Sequence, residues 1–251
     1  IKIVAVRTPP TLWAAADASM STFSPLGGVI DGPSTIAMSA ITAGALRGSC
    51  SWTSIVKTPS VVTSVLVSFT TAGEIQTGGH ITITMPASGW ELHPAPIIAF
   101  DQPIRAGGEH VIGRGAWDEN ARTLVVTTLA GDITEATEVV LRINLVTTPK
   151  FAMDGDNATV FTTTPLDGLI DGNTSFDTPR IFPGKLGGVL QWSFGGAMHP
   201  SITSTATLSF VSAGSIASGA RLEVALPTTE SARWVLPSNP SVVFSSPAGL
   251  N

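Results

Sequence analysis

Charge is scarce in this chain. Only 12% of its 251 residues are Asp, Glu, Lys or Arg, and 13 basic against 18 acidic side chains give a net charge of -5. So few cations cannot assemble a basic surface large enough to drive nonspecific phosphate binding, so nucleic acid is not an expected partner. Cysteine is nearly absent: Cys50 stands alone, which excludes an internal disulfide framework and a thiolate metal site. No run approaches about 18 consecutive apolar residues, and no basic-then-apolar leader precedes Ile1. Neither a membrane span nor a signal peptide is therefore expected, and the chain reads as a mature piece. Lys, Glu and Gln are sparse, and no stretch carries a sustained 3.6-residue apolar stripe. What is abundant is Gly (25), Pro (18), Thr, Ser and Val, with 43% of residues apolar. That is enough to fill a core, and the mixture predicts an all-β fold.

Laid on itself, the chain repeats. Pro25-Leu26-Gly27-Gly28-Val29-Ile30-Asp31-Gly32 returns as Pro165-Leu166-Asp167-Gly168-Leu169-Ile170-Asp171-Gly172, an offset of 140, and Trp52 falls on Trp192. Val67-Ser68-Phe69 with Ala72-Gly73, Ile75 and Gly78 returns as Leu208-Ser209-Phe210 with Ala213-Gly214, Ile216 and Gly219, offset by 141. Trp90, Leu92, Pro96 and Phe100 match Trp234, Leu236, Pro240 and Phe244 at 144. A drift of this size is what loop insertions do to a duplicated domain. Residues 1–9 match 141–149, a closing strand, so the chain reads as a window cut from a longer tandem array. The expected division is residues 1–9 as the last strand of a preceding repeat, 10–149 as one complete β-sandwich, and 150–251 as a second, incomplete one.

Within a unit the apolar period is two. Ile81, Ile83 and Met85 alternate with Thr82 and Thr84, and Leu141, Ile143 and Leu145 with Arg142 and Asn144. Segments 64–70, 122–128 and 206–210 read similarly, and Gly pairs such as Gly78-Gly79 and Gly107-Gly108 mark the turns. Residues 12–20 could make a turn or two of helix, but their counterpart carries Asp154-Gly155-Asp156, which opposes one. Seven to nine strands per unit, in two antiparallel sheets of an Ig-like sandwich, are expected. A weaker half-repeat sets Ala72-Gly73-Glu74-Ile75 on Ala130-Gly131-Asp132-Ile133 at an offset of 58, which reads as the way such strand pairs are built. Trp52 and Trp192 are expected between the sheets, with a carbohydrate-stacking platform as the sharper alternative. Trp90, Trp117 and Trp234 fall at strand ends, where exposure is expected.

Chemistry finds little support. There is no His-x-x-x-His or Glu-x-x-His spacing, and His80 and His199 have Arg221 and Thr58 as counterparts. Ser54-Ile55-Val56-Lys57 fits the Ser-x-x-Lys pattern of some acyl enzymes but lies on a strand and lacks companion motifs. Gly113-Arg114-Gly115 lacks the rest of a dinucleotide fingerprint. No catalytic residue, cofactor or metal site is therefore expected. Asp154-Gly155-Asp156-Asn157, and Asp167 with Asp171, read as solvated turn residues, with looser calcium sites as the alternative. Cys50, whose counterpart is Leu190, is expected to act as a small core residue. Asn157-Ala158-Thr159 and Asn173-Thr174-Ser175 are glycan acceptors if the chain passes a eukaryotic secretory route, which makes Asn157 and Asn173 the candidate modification sites, in a linker and loop after Pro149.

The segment Val65 to Pro86, ending Thr-Ala-Gly-Glu-Ile-Gln-Thr-Gly-Gly-His-Ile-Thr-Ile-Thr-Met-Pro, and again Leu208 to Pro227, resemble the Ig-like repeats of very large secreted surface proteins. Similar units belong to algal and protist fibre proteins, including those of the flagellar hairs called mastigonemes. The resemblance implies a structural component of an extracellular or cell-surface filament, decorated with glycan, and carries over no catalytic or binding residue. A bacterial-type surface adhesin and a carbohydrate-binding module of a larger secreted protein are the alternatives. The expected partners are neighbouring copies or continuing repeats joined head to tail, with residues 1–6 as one strand a neighbour could donate.

Overall fold

The computed structural model describes residues 2–87, 89–105, 107–196, 199–227 and 234–244. Ile1, and residues 245–251 of the expected second unit, lie outside the described residues. Every regular element among them is a strand: β1 (Ala16–Phe23), β2 (Val29–Met38), β3 (Arg47–Ser54), β4 (Val62–Thr70), β5 (His80–Thr84), β6 (Glu91–Leu92), β7 (Ile98–Gln102), β8 (Ile112–Asp118), β9 (Thr123–Ala130), β10 (Glu138–Thr147), β11 (Asn157–Thr163), β12 (Leu169–Asp177), β13 (Gly187–Phe194) and β14 (Ala206–Val211). The chain divides into a unit spanning Ile1–Ser215 and another spanning Ile216–Asn251. The all-β expectation holds.

Two five-stranded sheets make the sandwich of the first unit. One runs β3-β4-β10, with both β6 and β7 pairing the far side of β10; the other runs β12-β11-β5-β9-β8. All of these pairings are antiparallel. Alternation explains which residues meet between them. Val65, Val67 and Phe69 of β4 and Val139, Leu141 and Ile143 of β10 turn inward onto Ile81 and Ile83 of β5 and Leu124 and Val126 of β9, in a single apolar cluster. The expected inward Leu145 is displaced. A bulge between Ile143 and Val146 gives Leu145 a left-handed backbone (φ 60°), leaving it exposed and Val146 buried.

The tryptophans at one end also depart from expectation. Trp52 is buried as expected, but Trp90 is only 1% exposed and meets it edge to face, with ring centroids 5.5 Å apart. Trp117 is buried as well, because Arg122 lies over its ring and donates hydrogen bonds to the carbonyls of Pro86 and Trp90, closing that end of the sandwich. The half-repeat turns out to be a contact. Ile75 and Ile133, both fully buried, exchange backbone N–H···O bonds of 2.8 Å across the sandwich edge.

The expected boundary after Pro149 is redrawn. β11 and β12 follow it in sequence, yet β11 pairs with β5 from Thr159↔Thr84 through Val160↔Ile83 to Thr163↔His80. The physical reason is reciprocal need. β5 would otherwise be an open edge, and β11 carries an apolar face of Ala158, Val160 and the Thr162 side chain that is buried only there. The sandwich therefore draws on residues 47–177 rather than 10–149.

Two further hairpins flank it. β1–β2 repeats the pairing of β11–β12 at the offset of 140, including both register shifts: Met20↔Ser34, Thr22↔Asp31 and Phe23↔Val29 correspond to Val160↔Thr174, Thr162↔Asp171 and Thr163↔Leu169. It forms a separate two-stranded sheet. β13–β14 repeats β3–β4 in the same way, with Trp192↔Leu208 for Trp52↔Val67 and a left-handed glycine, Gly188 for Gly48, at the bulge. Residues 2–9, expected as a closing strand, form no strand. The described part of the second unit has no strand, and Arg221 pairs there with Glu223 at 2.8 Å.

Amide hydrogen exchange tests the redrawn boundary. The amides of β11 are expected to be protected to the same degree as those of β4 and β10, and those of β1–β2 to exchange faster. Protection that stops at Pro149 would contradict this arrangement.

Candidate functional site

The most constrained polar cluster lies where β12 meets the rest of the sandwich. Thr162 and Asp171 face each other across the β11–β12 bulge: the Thr162 hydroxyl donates to Asp171 Oδ2 at 2.8 Å, and the Asp171 amide donates back to Thr162 Oγ1 at 3.2 Å. The other carboxylate oxygen, Oδ1, accepts from the backbone amides of Ala72 (3.2 Å) and Gly73 (3.1 Å) in the turn after β4. Beside it Gly44 forms a parallel bridge, donating to Ile170 O at 2.9 Å and accepting from the Gly172 amide at 2.8 Å. The carboxylate is thus held by one side-chain hydroxyl and two backbone amides.

Small residues make this closeness possible. A Cβ on Gly44 would stand 2.7 Å from both Ala72 Cβ and Asp171 Oδ1, and one on Gly73 would stand 2.4 Å from Ile170 Cγ2. A side chain at either position would have to displace Ala72, Asp171 or Ile170. Asp171 is 0% exposed, and burial pushes its carboxyl above the usual range, opposed by its hydrogen bonds to Thr162, Gly73 and Ala72 and by the charge of Arg47. Its oxygens are fully engaged in fixing one hairpin to one sheet. An open cleft of about 720 Å³ adjoins it, lined by Arg7, Thr11, Arg47, Glu74 and Ile170 among others, with Arg7 already paired to Glu74.

The residues singled out from sequence are distributed as follows. Asp171 is a structural acceptor, not a solvated turn residue; burial against Ala72 and Gly73 is what removes it from water. Asp167 is exposed, 3.8 Å from His80 Nε2. Asp154 pairs with Arg180 at 3.1 Å, and Asp156 Oδ1 caps the Asn157 amide at 2.8 Å. Among the described residues no group of three or more His, Cys, Asp or Glu is placed to hold a metal ion. Ser54 Oγ is spent on the carbonyl of Val56, 2.5 Å away. Cys50 is half-buried on β3 against the core, and burial pushes its thiol up to about 11. Asn157 and Asn173 both have exposed side chains, but on strands and not in a linker: Asn157 opens β11, and Asn173 lies on the edge strand β12 at the bulge.

The Asp171 lock was overlooked by sequence reasoning, although its parts recur together. Thr22 and Asp31, Gly44 and Gly184, and Ala72-Gly73 and Ala213-Gly214 all stand at the repeat offset. No family model and no curated protein matches the chain. Among solved structures, the C-terminal domain of the Streptococcus pyogenes antigen I/II-family protein AspA is similar at a TM-score of 0.31 and 8% identity, over 66% of this chain and 55% of that one. Among the described residues no helix is long and apolar enough to cross a membrane.

Replacing Asp171→Ala leaves the Ala72 and Gly73 amides without their acceptor and is expected to cost about 1–3 kcal/mol of unfolding free energy. Asp171→Asn keeps the shape and removes the charge. Because the folded carboxyl titrates above the unfolded one, the native protein loses stability relative to Asp171→Asn as pH rises from about 3.9 through the raised folded value. Denaturant midpoints of both proteins across that range check the sign; a difference that does not change with pH contradicts it.

Proposed function

We propose that this chain is a non-catalytic structural segment of an extracellular or cell-surface filament, built from tandem β-sandwich repeats like those of algal and protist surface fibres. The observation that carries the reading is the seating of β11–β12. This hairpin, which stands at the start of the second repeat by sequence, is built into the sheet that the first repeat begins. Successive repeats joined this way share strands and do not hang from a flexible linker, so the connection is as stiff as the sheet itself. Sparse charge and Thr-rich outer strand faces suit a packed fibre, and exposed Asn157 and Asn173 leave room for glycan on the hairpin.

Immunogold labelling with antibodies raised against the recombinant chain is expected to decorate filaments or coat material at the surface of the source cells. Label confined to the cell interior would overturn the reading. The sugar is a separate expectation. The chain secreted from a eukaryotic host should exceed its polypeptide mass by two N-glycans, each lost with Asn157→Gln or Asn173→Gln; a bare mass rules them out.

A further inference from the structure

The hairpin β13–β14 belongs to neither five-stranded sheet, yet its base is tied to the sandwich at one turn. We infer that this turn, Thr58-Pro59-Ser60 between β3 and β4, is a two-sided clamp that makes β13–β14 move with the sandwich as one body and so sets the direction in which one repeat follows another. The inference rests on the filament reading and adds a second point of attachment to the seating of β11 on β5.

One side of the turn holds the chain that leaves β10. The Thr148 side chain, 1% exposed, donates its hydroxyl to Thr58 O at 2.6 Å and accepts from the Val61 amide at 2.9 Å. The Thr148 amide donates to Val61 O and the Ser60 amide to Pro149 O, both at 2.9 Å. The other side takes both legs of the hairpin. Phe182, before β13, donates its amide to Lys57 O at 2.9 Å, and Ser215, after β14, donates to Ser60 O at 3.1 Å. A bond from one leg alone would leave the hairpin free to swivel, whereas one from each leg fixes its orientation as well as its distance. Ser60 bonds on both sides.

Glycines let the turn enter the base of the hairpin. A Cβ on Gly214 would stand 2.0 Å from Pro59 O, and one on Gly184 would stand 2.7 Å from Thr58 Cγ2 and 2.5 Å from Ala213 Cβ. Pro59 brings no N–H into this crowded contact. The turn also has a backbone that few residues other than glycine adopt, with Ser60 left-handed at φ 56°. At the offset of 141, Pro200-Ser201 repeats it with φ 63° at Ser201, so each copy of the repeat carries the turn.

Relaxation and hydrogen exchange of the backbone amides in the full chain test the clamp. In the native protein the amides of β13 and β14 are expected to report the same rotational correlation time as those of β4 and β10. Gly214→Val, which drives a side chain against Pro59 O, should shorten that time for β13–β14 alone and speed exchange of the Phe182 and Ser215 amides about tenfold. Gly195→Ala, whose Cβ meets nothing closer than 3.9 Å, should change neither. Thr148→Val loosens the turn from its other side without touching the hairpin, and should speed the same two amides while the cross-strand amides of β13–β14 stay protected. Separate tumbling of β13–β14 in the native chain, native relaxation and exchange in Gly214→Val, or unchanged Phe182 and Ser215 exchange in Thr148→Val would overturn the proposal. Separate tumbling alongside surface filaments that carry immunogold label would remove the clamp and leave the filament reading standing; common tumbling with label confined to the cell interior would remove the clamp's role in a filament.

Discussion

The antiparallel pairing of β11 on β5 is the constraint on which the rest of this structure depends. It supplies the fifth strand position of one sheet through β12, covers an edge in the middle of the fold, and brings Asp171 to the Ala72-Gly73 turn. Without it the second sheet would end at β5, and the inner faces of Val160 and Phe176 would have nothing to bury against. The closure at the other end, where Arg122 ties the carbonyls of Pro86 and Trp90 and covers Trp117, is local by comparison and uses only residues between β5 and β9.

Backbone pairing alone specifies such a contact poorly, because any strand of similar length can offer the same N–H and C=O groups. The carboxylate adds what the ladder lacks. Its two oxygens are divided between the hairpin's own Thr162 and the amides of the neighbouring turn, so a slip by one residue would bury an ionisable group against apolar side chains. Gly44 and Gly73 make the same demand sterically, since the Asp171 and Ile170 side chains approach where a Cβ would stand. Charge and bulk therefore act together to fix one register.

Much of the fold was legible in the sequence. The two-residue period at Ile81 and Ile83 and at Leu141 and Ile143 is the inner face of the sandwich, and the offset of 140 reappears as matched pairings and matched bulges in β1–β2 and β11–β12. What could not be read was the partner of each hairpin. A repeat in sequence has no privileged starting point, and choosing Pro149 as the boundary cut between β10 and the hairpin that completes its sandwich. Leu145 was misplaced because a bulge changes the phase of the alternation with no change in composition. The burial of Trp90 and Trp117 is not visible in their strand-end positions, because it depends on contacts such as the Arg122 side chain lying over the Trp117 ring.

Asp171 carries the most general lesson. Read alone, an Asp followed by a glycine in a turn-rich segment is a solvated turn residue, and its neighbours favour that reading. Read with its repeat, it is one of four features that travel together: a Thr nine residues earlier, a Gly before the next strand, and an Ala-Gly turn after the strand that follows. Turn chemistry requires only the Asp and its adjacent Gly. Gly44 and the Ala72-Gly73 turn have no local reason to accompany Asp171, and one geometry accounts for them: the buried carboxylate accepts from two amides, and Gly44 and Gly73 leave the space that Asp171 and Ile170 occupy. Residues far apart in sequence that local structure does not require together are thus brought together by one long-range contact.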